Sequence, residues 1–68
     1  LSALKNLRLQ LAKERDVPAY VVFSDRSLID MARRRPHDAA TFAEVHGVGE
    51  AKLRDFSKLF LQAIANAA

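Results

Sequence analysis

The chain has 68 residues, half of them hydrophobic and 28% charged, with two glycines, two prolines and no cysteine. That length allows one domain at most, burying about 60% of the surface its unfolded chain exposes, so a large enzyme with a deep cleft is excluded. Eleven Lys and Arg against eight Asp and Glu leave a net +3, and without cysteine neither a disulfide framework nor a thiolate zinc site can add stability, so packing alone must hold the fold.

In chain order, Leu4, Leu7 and Leu11 fall on one stripe of a 3.6-residue period, with Lys5, Arg8 and Arg15 on the flank beside it. This predicts an amphipathic helix with a basic shoulder, stopping near Asp16 because Pro18 disfavours helical geometry for Val17. The apolar run Pro18 to Phe23 fits either a short strand or one helical turn; no second strand-like run exists to pair with it, so a short buried turn is expected. Ser24 or Asp25 then caps a second long helix with Leu28, Ile29 and Ala32 facing inward. Arg33, Arg34 and Arg35 crowd its last turn, where cations complement the helix dipole, and Pro36 marks its end. Asp38 is a cap for a short helix burying Phe42 and Val45. In the turn His46-Gly47-Val48-Gly49, Gly47 suits a left-handed helix end and Gly49 a close backbone approach. A last helix carries Leu53, Phe56, Phe60, Ala63, Ile64 and Ala67 on one stripe. The expected fold is all-α, a bundle of three longer and two short helices forming one domain over residues 1–68, a module cut from a longer protein.

Charge is uneven along this bundle. Leu1 to Arg35 holds eight basic and four acidic residues, and Pro36 to Ala68 three and four, so an anion-binding surface would draw on the first half. Catalysis has few candidates: His37 and His46 sit in turns, no thiol is available, and Ser24 with Asp25 reads as a cap before it reads as part of a triad. Asp25 and Asp30 with either histidine lack the regular spacing of metal ligands. The Gly47-Val48-Gly49 turn with Lys52 could seat a phosphate or simply connect two packed helices tightly. Tyr20, between Arg15 and Arg26, could stack an unpaired base while the guanidiniums hold phosphates, or it could fill the core. Lys5 and Arg8 read as solvated charge or as further phosphate contacts, and Leu61 as an exposed apolar contact.

Taken together, Leu7-Arg8, Leu11-Ala12, the block from Val17 to Asp25, Leu28, Ala32, Pro36, Gly47-Val48-Gly49, Lys52 and Phe60 closely resemble, in order and spacing, the HRDC domain (helicase and RNase D C-terminal), most of all the version in bacterial RecQ helicases. The resemblance implies an all-helical auxiliary module C-terminal to an ATP-using DEAH-type helicase core. It also implies a role in single-stranded DNA binding for the aromatic at Tyr20, within a basic surface that includes Arg15 and Arg26. The Gly47-Val48-Gly49 turn is similar to the helix-hairpin-helix DNA-binding motif.

The expectation is therefore a non-catalytic accessory domain without cofactor or metal. Its ligand would be single-stranded or junction DNA, held weakly and salt-sensitively by Tyr20, Arg15, Arg26, Arg8, Lys5 and Lys52. The domain is expected to be monomeric, in the bacterial cytoplasm near the nucleoid and away from membranes. The alternatives are a module docking on its own helicase core or another protein, and an RNA-binding domain of a ribonuclease D.

Overall fold

Each helix starts and stops for a local reason, visible in a computed structural model that describes residues 1–66. The first helix, α1 (Ser2–Arg15), ends where Asp16 enters the left-handed region at φ 55°. The Asp16 amide returns to the Lys13 carbonyl at 3.2 Å and the Val17 amide to the Ala12 carbonyl at 3.0 Å, the double closure that satisfies the last carbonyls of a helix. Pro18 prevents continuation, and the apolar run beyond it forms a single helical turn, α2 (Ala19–Val22), followed by Phe23 in extended backbone.

Of the two candidate caps for α3 (Asp25–Arg34), Ser24 is the one used: its Oγ accepts the Ser27 amide at 3.2 Å. The helix closes on Arg35, left-handed at φ 46°, just before Pro36. At α4 (Ala39–Phe42), Asp38 accepts the Thr41 amide at 2.9 Å and the Thr41 hydroxyl accepts the Asp38 amide in return. That Thr41 amide is the main reason the Asp38 carboxyl sits below the usual carboxylate range. The last helix is α5 (Glu50–Asn66). Three longer and two short helices, with no strand among the described residues, match the expected architecture.

Phe23 lies at the centre. It is 1% exposed and meets Phe42, Phe56 and Phe60 edge-on, with ring centroids 6.2, 5.7 and 5.0 Å away. Full burial of such a ring stabilises by about 1.5–3 kcal/mol, and each edge-on pair adds about 0.5–1.5 kcal/mol. Leu4, Leu11, Val22, Leu28, Met31, Val45 and Ile64 close the core around these rings, with Leu53 and Ala63 half-buried against it. Ala67, expected on the same stripe, lies outside the described residues.

Three expectations are corrected. Ile29 does not face inward: it is 56% exposed, and Met31 takes the buried place beside Leu28. The cause is polar. Ser27 Oγ donates to the His46 carbonyl at 2.7 Å and Asp30 accepts the His46 amide at 2.9 Å, so α3 rotates Ser27 and Asp30 toward the turn before α5 and Ile29 away from it. Gly49 makes no close approach, since a Cβ placed there would meet nothing within 4 Å. Gly47 carries the constraint instead. It is left-handed at φ 79°, and a Cβ there would lie 2.6 Å from Ser27 Oγ. Leu61 is half-buried and packs on the core, so it offers no exposed anchor.

Candidate nucleic-acid interface

A one-turn helix can bury only part of its surface, and α2 buries Val22 while leaving Tyr20 72% and Val21 44% exposed. With Val22 and Phe23 filling the core, Tyr20 is surplus to it and stands outward. A single turn has little intrinsic stability, so its position depends on what grips it.

That grip comes from two cations. Arg8 Nη1 donates to the Phe23 carbonyl at 3.1 Å and pairs with Asp25 at 2.8 Å. From the opposite side of the sequence, Lys52 Nζ donates to the carbonyls of Val21 and Val22, the latter at 2.6 Å, and lies 5.2 Å from the centre of the Phe23 ring. The carbonyls of Val21, Val22 and Phe23, which a helix end leaves without partners, are thus all taken up. Arg8 is largely enclosed, its side chain 13% exposed. Burial draws the Lys52 ammonium pKa below its ordinary value. The structure therefore turns both of these residues toward protein oxygens at the base of Tyr20. The Gly47-Val48-Gly49 turn, considered with Lys52 as a phosphate seat, does not have that ammonium aimed at it.

The remaining basic residues separate into two places. Arg15 stays on the Tyr20 side: its guanidinium lies 4.6 Å over the Phe56 ring and borders a cleft of about 470 Å³ whose wall includes Val17, Val21, Lys52 and Asp55. Arg26 goes elsewhere. It borders a concavity of about 360 Å³ with Ile29, Asp30, Arg33, Arg34 and His46, so the flanking pair Arg15 and Arg26 does not converge on one opening. Lys5 is exposed on α1. Lys13 was missed: with Leu9 and Asp16 it borders a third concavity, about 350 Å³, whose far wall is Pro18 and Ala19. Its signal in the sequence is the i, i+4, i+8 series Lys5, Leu9, Lys13, which puts two cations and an exposed leucine on one face of α1.

The residues on either side of Tyr20 line two different shallow openings, Ala19 the one bordered by Lys13 and Val21 the one bordered by Arg15, so the Tyr20 turn forms the ridge between them. An exposed ring on a fixed backbone can accept the face of an unpaired base, and cations bordering the openings beside its turn can hold neighbouring phosphates. It offers no nucleophile with an adjacent base and no pair of free carboxylates. The Asp30 carboxylate is fully engaged by the His46 amide, Arg33 and Arg34.

The described residues thus form an all-helical domain that presents one exposed aromatic on a clamped turn. Its family follows from comparison: the model of the HRDC domain matches residues 1–64, and the chain belongs to that family. The chain is 44% identical over 64 residues to the ATP-dependent DNA helicase UvrD2 of Mycobacterium tuberculosis, a match covering 94% of this chain and 9% of the helicase. It is 39% identical over 61 residues to the ATP-dependent DNA helicase RecQ of Bacillus subtilis, covering 90% and 10%. Among solved structures, the D. radiodurans RecQ HRDC domain 3 superposes with a TM-score of 0.93 at 38% identity, covering 97% of this chain and 87% of that domain. The chain thus spans about a tenth of the helicases it resembles, and it is an HRDC domain of the type those DNA helicases carry.

Proposed function

We propose that this domain is a non-catalytic accessory module of a UvrD2- or RecQ-like ATP-dependent DNA helicase, contributing a weak contact to single-stranded or junction DNA. The observation that carries the reading is the 72% exposure of Tyr20 on a turn whose C-terminal carbonyls are gripped by two cations, Arg8 and Lys52. Stacking supplies the sequence-tolerant part of the contact, and Arg15, Lys13 and Lys5 supply phosphate contacts. ATP hydrolysis and strand separation belong to the rest of such a helicase, and the domain helps hold the DNA while they proceed.

With about three cations engaged, log K should fall against log salt with a slope of about −2, or roughly twentyfold in affinity between 50 and 200 mM. The test is fluorescence anisotropy of a labelled oligothymidylate at those two salt concentrations. Tyr20→Ala is expected to weaken binding by about 1–3 kcal/mol without loss of helicity. Unchanged affinity in the folded variant contradicts the stacking contact, and binding indifferent to salt contradicts the phosphate contacts.

A further inference from the structure

The concavity on α3 is built differently from the Tyr20 ridge. Arg26, Ile29 and Arg33 follow at i, i+3 and i+7 and share the outward face of the helix. Between Arg26 and Arg33 on that face is the aliphatic side chain of Ile29, 56% exposed, and the rim holds three guanidiniums, those of Arg26, Arg33 and Arg34, together with His46. The one carboxylate within this rim is Asp30. It accepts Arg33 Nη2 at 3.0 Å, Arg34 Nε at 2.9 Å and the His46 amide at 2.9 Å. Three cations against one anion leave +2 on the face. Each of the two paired arginines is held through one nitrogen, so the rest of its donor fork is free to point outward. Their side chains are 76% and 47% exposed.

This arrangement lowers the cost of taking up carboxylates. Arginines already oriented by Asp30 lose less side-chain freedom when a second acid arrives, and guanidinium forks match carboxylates with two parallel hydrogen bonds. An exposed isoleucine alone means little. Within a cationic rim it has the layout of an interface anchor bordered by polar groups. Of the lining residues only His46 carries a ring, so the face lacks the aromatic platform that single-stranded nucleic acid uses.

We infer that this face binds an acidic peptide segment carrying an aliphatic or aromatic side chain, the apolar group seated on Ile29 and flanking carboxylates on Arg26, Arg33 and Arg34. This inference is independent of the DNA reading, because none of these residues touches the Tyr20 ridge openings.

The probe is a fluorescein-labelled peptide of Asp and Glu with a central Leu-Phe pair, set against the same peptide with Ser-Ser at the centre. The Leu-Phe peptide should bind at least about fivefold tighter than the Ser-Ser peptide. Ile29→Ser should weaken it roughly tenfold, as loss of a central anchor does, and Arg26→Gln by about threefold or more. Tyr20→Ala should leave it unchanged, and unlabelled oligothymidylate should not displace it. Both altered side chains are exposed, so the fold is retained. Equal affinity for the two peptides, undiminished binding to the Ile29→Ser variant, or displacement by oligothymidylate would each overturn the inference, the last by making this face a nucleic-acid surface.

Discussion

Two faces of this small domain each combine an exposed apolar side chain with nearby cations, and they use the cations in opposite ways. Around Tyr20, Arg8 and Lys52 donate inward to three backbone carbonyls, so their contribution is shape. Around Ile29, Arg33 and Arg34 converge on the single carboxylate of Asp30, and their outward donors and half of their charge survive. Counting basic residues along the chain does not separate these cases. What each cation is already bonded to does, because a donor satisfied by a backbone carbonyl has little left to offer a ligand, whereas a guanidinium held along one edge has been prepared for one.

Lys52 gives the sharpest way to break the comparison. Lys52→Met keeps the aliphatic stem and removes the donor, leaving the Val21 and Val22 carbonyls without it. Stability should fall by about 1–2 kcal/mol in urea denaturation, and oligothymidylate affinity should fall as α2 loosens. The slope of log K against log salt should not change. A slope shallower by about 0.7 would instead mean that one phosphate contact had been lost, and Lys52 would belong with the ligand-facing cations.

A smaller effect sharpens the other side. The His46 amide is the main cause that lowers the Asp30 pKa from 3.8 to about 2, with Arg34 and Arg33 adding to it against the opposing effect of burial. Between those two values the unfolded chain binds a proton that the folded chain refuses, so stability declines as the pH is lowered through this window and is fully present above it. Asp30→Asn should flatten that part of the dependence, read as the difference between variant and parent urea midpoints at pH 5 and at about pH 2.5. A parallel decline in both proteins would show that Asp30 is not held by these partners.

Much of the architecture was legible because its signals are local. Pro18, Pro36, the Ser24 and Asp38 caps and Gly47 each act within a few residues, and the phenylalanine stripe of α5 is long enough to fix its own phase. Tyr20 was legible as a candidate, since a four-residue apolar turn cannot bury everything it carries; that it stands outward required the structure. The phase of α3 was not legible. Leu28, Ile29 and Ala32 are too few to set a helix face, and the deciding contacts run from Ser27 and Asp30 to His46, 19 and 16 residues away. Nor could the sequence reveal where long cationic side chains reach. Arg8 and Lys52 meet α2 across 15 and 30 residues of chain, and Lys13 gained its place only when the Pro18 segment folded beside it.

The central claim is that DNA lies along the Tyr20 ridge and not along the arginine-rich face of α3. Backbone amide NMR of the isotopically labelled chain, titrated with oligothymidylate at low salt, tests it residue by residue. The account predicts that the largest shifts fall on Lys13, Arg15 and the segment Ala19–Val22, with Arg26, Ile29 and Arg33 nearly unmoved. Shifts concentrated on Arg26, Ile29 and Arg33, with Tyr20 unaffected, would contradict it.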